Sequence, residues 1–147
     1  MKRMTPQEKK ALLLRVVTKL AAPQLEQGGF IPFGAILGQN RDVQLLMPKS
    51  MKRDVARDEL DNYWARTIRN AIAAGKYMTV CWCADVRGQT DDGTLIPALL
   101  IHVEHAHSFS EDILIAYRKN EGGKVVFDDP NTETTQHQIF SSSEEPS

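Results

Sequence analysis

Residues 77–104 read YMTVCWCADVRGQTDDGTLIPALLIHVE, and most of the architecture follows from them. Two apolar runs flank a polar segment that ends in Asp92-Gly93, a dipeptide typical of tight β-hairpin turns. A two-residue turn at Asp92-Gly93 places Trp82 opposite Val103 and makes one face of the hairpin uniformly apolar. We therefore predict a central antiparallel hairpin that buries this face.

The same register places four potential metal ligands together on the other face of the hairpin, namely Cys81, Cys83, His102 and Glu104. Thiolate, imidazole and carboxylate groups are the ligands that zinc accepts. However, strong zinc signatures use CxxC or HExxH spacing, and neither is present. Small cysteines within a strand usually behave as core residues. Packing is therefore the favoured interpretation, and a zinc site is the alternative.

His105 and Cys81 are the candidate catalytic residues. His105 lies next to Glu104 and is a candidate general base, although no motif ties a nucleophile to it. Cys81 is a candidate nucleophile that His102 would activate in the predicted register, although a thiol in mid-strand is usually buried and inert. Side chains alternate along a strand, so His102 should point away from both His105 and His107.

Two amphipathic helices and further strands surround the hairpin. Thr5 and Glu8 form a capping-box pattern before a helix that begins at Pro6 and ends between residues 22 and 27. Apolar residues at four-residue spacing predict a second helix over 52–74. The predicted strands cover residues 30–37, 43–47, 77–86, 95–104 and 113–117, with 124–127 as a candidate for one more. The predicted core, drawn from the helices and the hairpin, comprises Val16, Leu20, Leu60, Trp64, Ile68, Trp82, Ile101 and Val103.

Length and composition predict one domain, and the helices and strands above predict an α+β fold with a five-stranded, mainly antiparallel sheet in the order α-β-β-α-β-β-β. The chain has 147 residues, of which 41% are hydrophobic and 25% charged. Eighteen basic and nineteen acidic side chains give a net charge of -1, which disfavours a dedicated nucleic-acid binder. We assign the domain to residues 1–140 and predict a disordered tail over 141–147, which has nothing to bury.

The predicted location is the cytoplasm, without a membrane anchor. No apolar run approaches the ~18 residues that a membrane span needs. The basic start of the chain is followed by further charged residues, so no secretion signal is recognisable. Cys81 and Cys83 are two residues apart in the chain, at the limit of disulfide geometry, so we expect no bridge between them. Free thiols fit the reducing environment of the cytoplasm.

The segment around Pro32 is the candidate surface for a protein partner. Its glycines do not match a phosphate-binding loop, because no Gly-Lys-Ser/Thr follows them. Pro32 lacks an N–H donor, which predicts a sheet edge or a bulge with Phe30 and Phe33 beside it. A free edge there would support self-association. Arg66 and Arg69 lie on a basic helix face whose favoured interpretation is a solvated surface, with a protein contact or a nucleic-acid contact as the alternatives.

Four segments resemble an uncharacterised family of small bacterial α+β proteins that have a Pro-Phe-Gly segment, an Asp-Val step and a Glu-His pair. These segments are Phe30–Ala35, Ala84–Arg87, Val103–His105 and Ala116–Arg118. The resemblance implies no particular activity. The order of elements also resembles roadblock and profilin-like folds, which implies an antiparallel sheet packed with helices and frequent dimerisation. A fold likeness does not establish function.

Two functions follow as hypotheses. The first is a small cytoplasmic binding or protein-interaction module, accessory or immunity-like, which acts as a homodimer or with a protein partner and uses no cofactor. The second is a small metal-dependent or thiol enzyme that uses the Cys81, Cys83, His102 and Glu104 group together with His105. The enzyme hypothesis requires these side chains to converge in one pocket.

Overall fold

One helix lies on each face of an antiparallel β-sheet. The computed structural model describes residues 4–38, 42–48, 51, 55–72, 79–106 and 108–138. Within these residues the elements are α1 (Pro6–Glu26), β1 (Phe33–Leu37), β2 (Val43–Leu46), α2 (Arg57–Ala71), β3 (Thr79–Gln89), β4 (Leu95–His105), β5 (Ser110–Lys119), β6 (Val125–Phe127) and β7 (Asn131–Thr134). No helix of the described chain is both long and apolar enough to cross a membrane. The predicted tail over 141–147 lies outside the described residues.

The α+β class is confirmed, whereas the prediction of five strands is wrong. Among the described residues the sheet has seven strands, with the order β2-β1-β3-β4-β5-β6, and β7 also pairs with β5. β6 pairs with residues 117–119 at the end of β5. β7 pairs with residues 111–114, near the beginning of β5. The register changes by one residue around Asp128–Pro130, between these two strands. The strand β7 was missed because its sequence, Asn131–Thr134, is polar and exposed.

α1 begins at the capping box that the sequence predicts. The amide of Glu8 donates to Thr5 Oγ1 at 3.1 Å, and the amide of Thr5 donates to Glu8 Oε1 at 3.0 Å. The helix continues past Pro23 to Glu26. Its buried line has four-residue spacing and comprises Leu13, Val17, Ala21 and Leu25. The placement of Leu20 in the core is therefore wrong, because that side chain lies beside the buried line and is 37% exposed.

α2 is shorter than the sequence predicts and covers the second face of the sheet. It begins at Arg57, five residues after the predicted start, and residues 73–78 beyond it are not described. Its buried residues include Trp64, which packs directly over β1. A Cβ atom at Gly34 would lie 3.0 Å from two ring carbons of Trp64. Gly34 therefore permits the close approach of the indole to the sheet.

The predicted register of the central hairpin is wrong by one residue. Trp82 lies opposite His102, rather than opposite Val103. The cause is a three-residue loop at its tip, in which the amide of Thr90 donates to the Thr94 carbonyl at 2.9 Å. Gly93 adopts a φ of 83°, which is typical of a type I turn followed by a glycine bulge.

Both faces of the hairpin are buried as a result of the two helices. The face toward α1 carries Cys81, Cys83, Leu99, Ile101 and Val103. The face toward α2 carries Val80, Trp82, Ala84 and Leu100, which pack with Leu60, Trp64 and Ile68. The sheet thus separates two hydrophobic clusters, and the face assigned to each strand residue decides which helix it meets.

Candidate functional site

A buried histidine between two carboxyl groups lies under α2. His102 projects from β4 on the face of Trp82 and is 1% exposed. Its Nδ1 lies 2.8 Å from Oδ1 of Asp112, and its Nε2 lies 2.6 Å from Oε2 of Glu104. Carboxylate oxygens only accept hydrogen bonds, so with both acids ionised each ring nitrogen carries a proton. The ring is then an imidazolium cation.

Two residues of α2 extend this arrangement to the helix. Arg57 donates through its Nη2 to both oxygens of Asp112 at 2.9 Å, and through its Nε to both oxygens of Asp61 at 2.9 and 3.0 Å. Asp61 also accepts a 2.9 Å hydrogen bond from Trp82 Nε1. The rings of Trp82 and His102 are 4.4 Å apart. These contacts tie α2 to β3, β4 and β5, and we call the six residues the His102 cluster: Arg57, Asp61, Trp82, His102, Glu104 and Asp112.

The His102 cluster also holds the last described segment of the chain. The backbone amide of Gln138 donates to Oε2 of Glu104 at 2.6 Å. Arg69 of α2 donates to the carbonyl oxygen of Gln138. Nearer the sheet, the amide of Thr135 donates to the carbonyl of Ser110 at 2.8 Å. Residues 135–138 therefore cross the end of the sheet and contact both β4 and α2.

The geometry of the cluster favours a polar cross-link over a catalytic group. A general acid or base needs its proton within hydrogen-bond reach of a substrate. Both nitrogens of His102 are already bonded to protein carboxyl groups, and the ring is buried. Buried charges of this kind are normally paired and hydrogen-bonded. With both acids ionised, the imidazolium of His102 therefore bridges Asp112 and Glu104 inside the protein.

The stability of the protein should fall as the pH rises through the folded-state pKa of His102. Burial lowers this pKa, but hydrogen bonds with Asp112 and Glu104 and the charges of both acids outweigh burial, so the pKa is raised above 6.5. Such a group contributes stability that is complete below its unfolded-state pKa and lost as the pH rises through the folded-state value. Urea unfolding of the wild type and of the double variant His102→Leu/Glu104→Leu, between about pH 5 and pH 9, measures this contribution, because the double variant removes both members of the buried pair.

The comparison with this double variant is needed because other groups also titrate at alkaline pH. Burial raises the pKa of Cys81 to about 12, and burial also raises the pKa of Cys83. An unfolded chain ionises these thiols at lower pH, which destabilises the wild type and the variant equally. The difference in unfolding free energy between the two proteins should therefore shrink with rising pH. A difference that stays constant would contradict a protonated His102.

The four predicted zinc ligands do not converge. Cys81 and Cys83 lie on the face toward α1, whereas His102 and Glu104 lie on the face toward α2. The predicted grouping depended on the two-residue turn, and the observed three-residue loop removes it. In the part of the chain that the structure describes, no group of three or more His, Cys, Asp or Glu side chains is arranged to hold a metal ion.

The two predicted catalytic residues are both buried. Cys81 is 1% exposed, and its raised pKa disfavours the thiolate that a nucleophile requires. His105 places its Nδ1 2.6 Å from Oγ1 of Thr79 and stacks on Phe109 at 5.8 Å between ring centroids. His105 and His102 occupy opposite faces of β4, as predicted for a continuous strand. His107 lies outside the described residues.

The segment around Pro32 is not a sheet edge, and that prediction is wrong. β1 lies between β2 and β3, and Pro32 directly precedes its first residue. The missing N–H of Pro32 therefore falls outside the β-ladder, where it removes no hydrogen bond. Phe30 and Phe33 pack against each other at 5.4 Å in the cluster under α1. Phe30, Pro32 and Phe33 are all buried and offer no surface to a partner.

The two candidate arginines lie on α2, at the surface. Arg66 and Arg69 are both exposed. Arg69 bonds to the carbonyl of Gln138, so it contacts the chain's own last described segment. The two side chains therefore differ in environment, although the sequence groups them on one basic face.

An open strand edge at β2 is the feature that the sequence analysis missed. Among the described residues β2 pairs only with β1 and lies at the end of the sheet. Leu45 is 42% exposed, and Met47 just beyond the strand is 63% exposed. The apolar, strand-like character of residues 43–47 was visible in the sequence, but the position of this strand within the sheet was not.

Two features of the described chain thus remain as candidates for function. The His102 cluster is buried and bonded to the protein itself. The β2 edge exposes backbone groups and apolar side chains. Comparison of the chain with protein-family models, with curated proteins and with solved structures found no match.

Proposed function

We propose that the protein is a small protein-interaction module and that β2 is its binding surface. The observation that carries this proposal is the open edge of β2, where Leu45 and Met47 are exposed. An exposed strand edge presents unpaired N–H and C=O groups, which can accept a strand from a partner. Binding of this kind takes affinity from main-chain hydrogen bonds and specificity from alternate side chains.

The opposite edge of the sheet supports the choice of β2. There, the register shift between β6 and β7 interrupts the ladder, and Asp128, Asp129 and Pro130 occupy the interruption. All four residues of β7 are exposed and polar or charged. Bulges, charges and prolines are the usual means by which an edge strand resists pairing. β2 has none of these features at positions 43–47.

The enzyme hypothesis has less support. It requires the thiols of Cys81 and Cys83 to meet His102 in one pocket, and the sheet separates them. The interaction hypothesis requires only the exposed edge. An accessory or immunity-like role, a cytoplasmic location and the likeness to roadblock and profilin-like folds stay predictions.

Leu45→Lys should abolish partner binding through β2, because a charge at the centre of an edge strand opposes pairing. Thr132→Lys is the matched control, since it adds the same charge to the exposed edge strand β7. Each protein would be tagged and used for quantitative capture from a lysate of the source cells. The wild type and Thr132→Lys should retain the same proteins, and Leu45→Lys should lose most of them.

Two further results decide whether the captured proteins use the β2 edge. A captured protein should slow hydrogen exchange at the amides of Val43, Leu45 and Met47 in the wild type. Both lysine variants should keep the wild-type circular dichroism spectrum, because the positions that they change are exposed. Equal capture by all three proteins would overturn the proposed function.

A further inference from the structure

The direction of the backbone groups along β2 can be assigned from its hairpin with β1. The amide of Gly38 donates to the carbonyl of Asp42 at 2.7 Å, so the backbone groups of Asp42 point toward β1. Backbone groups alternate sides along an antiparallel strand. Those of Gln44 and Leu46 therefore also point toward β1. Three residues point their N–H and C=O groups away from the sheet, namely Val43, Leu45 and Met47.

The side chains of these three residues all lie on one face of the sheet, the face toward α1. Leu45 lies opposite Ala35, which belongs to the cluster under α1, and Val43 packs against that cluster. Met47 is two residues further on and therefore lies on the same face. All three side chains are apolar, and Leu45 and Met47 are exposed. The residues with outward backbone groups are thus also the residues with apolar surface to bury.

We propose that the partner at this edge is a second copy of the chain, with β2 paired antiparallel to β2 about a two-fold axis at Leu45. This inference rests on the proposed function and names its partner. The axis is perpendicular to the sheet, so the faces toward α1 adjoin in the two copies. Leu45 then lies opposite Leu45 of the second copy, and Val43 lies opposite Met47 of the second copy.

This register satisfies every outward group between residues 43 and 47. Each residue with outward backbone groups meets another such residue, which is the hydrogen-bonded arrangement of an antiparallel pair. A shift of one residue would set Leu45 against Leu46, whose groups point toward β1, and would leave both unpaired across the interface. A shift of two residues would leave Val43 or Met47 without an opposite residue in this range. Pro48 removes no hydrogen bond across the interface, because the backbone groups at position 48 point toward β1.

The residues of the interface are self-complementary in charge and polarity. Residues 43–48 carry no charge, so pairing two copies brings no like charges together within this range. The apolar side chains of Val43, Leu45 and Met47 continue across the axis as cross-strand pairs. An interface built on one short strand buries little surface area for a specific interface. Small buried areas are typical of weak complexes. We therefore expect a concentration-dependent dimer in the micromolar range.

Oxidative cross-linking of introduced cysteines tests the register. In the proposed dimer the two copies of position 45 form a hydrogen-bonded pair with Cα atoms about 5.5 Å apart, within disulfide range. Leu45→Cys should therefore give a covalent dimer. Gln44→Cys is the matched control, because its two copies would be roughly 8–9 Å apart by strand geometry, beyond disulfide range. The native cysteines, Cys81 and Cys83, are buried and should not interfere.

A mixed pair of variants gives a second, independent readout. Tagged Val43→Cys and untagged Met47→Cys should form a mixed disulfide when combined, because these positions lie opposite each other. Neither variant should cross-link with itself, since each position then lies more than 10 Å from its own copy, by an estimate of about 3.4 Å per residue. Sedimentation of the wild type should show dimers that dissociate on dilution, and Leu45→Lys should remain a monomer.

The outcomes separate the two proposals. Dimers that fail to cross-link through Leu45→Cys and through the mixed pair would overturn the register. A monomeric wild type whose β2 edge still protects its amides when it captures another protein would overturn the second copy as partner and leave the proposed function intact. A monomer that loses no captured protein on Leu45→Lys substitution would overturn both.

Discussion

His102→Leu should lower the free energy of unfolding by about 3–5 kcal/mol, the usual cost of removing one partner from a buried ion pair. The variant removes the imidazolium that faces the buried carboxylate of Glu104. It also removes the hydrogen bond to Asp112, which retains Arg57. Urea unfolding at about pH 6, where His102 is protonated in the wild type, measures the loss.

The double variant His102→Leu/Glu104→Leu separates the ion pair from simple packing. Replacing both charged partners of a buried pair by apolar residues is often nearly neutral, because neither charge then stays buried without the other. The double variant should therefore recover part of the stability that the single variant loses. The recovery is incomplete, since the amide of Gln138 loses its acceptor on Glu104. A single variant within about 1 kcal/mol of the wild type would show that no buried ion pair exists there.

Trp64→Ala should lower the free energy of unfolding by about 3–5 kcal/mol, whereas Trp64→Phe should cost much less. Trp64 is fully buried at the centre of α2 and packs on Gly34. Truncation to alanine leaves a cavity between the helix and β1. The indole N–H is buried and has no hydrogen-bond partner among the described residues. Phenylalanine removes this unsatisfied donor and keeps most of the ring.

Trp82→Phe is the matched control for this prediction. Trp82 is equally buried in the same cluster, but its Nε1 donates to Asp61 at 2.9 Å. Hydrogen bonds to charged groups contribute about 1.5–3 kcal/mol, so Trp82→Phe should cost more than Trp64→Phe. Urea unfolding of the three single variants at one pH gives the comparison. Equal costs for the two phenylalanine variants would contradict the assigned hydrogen bonds.

Residues near in sequence account for the features that were predicted well. The capping box at Thr5 and Glu8 involves side chains three residues apart, and the structure shows both of its bonds. The apolar runs of the hairpin and the spacing in α2 similarly depend on local periodicity. These signals were sufficient for the α+β class and for the approximate place of both helices and of the first strands.

The candidate site depended on details that the local pattern leaves open. Two-residue and three-residue loops at Asp91–Gly93 differ by one residue, and this difference determines whether Cys83 or Trp82 faces His102. Hydrophobic alternation would normally select the register. Here helices bury both faces of the hairpin, so apolar residues occur on each and the pattern does not discriminate.

Contacts between distant residues account for the rest. The pairing of β1 with β3 puts β1 inside the sheet and β2 at its edge, although both strands are similarly apolar in sequence. The His102 cluster joins Arg57 of α2 to Asp112 of β5, 55 positions later in the chain. Periodicity reports which residues can share a face, because that is a property of one helix or strand. Strand order and ion-pair partners depend on how separate elements pack, which is a property of the folded chain as a whole.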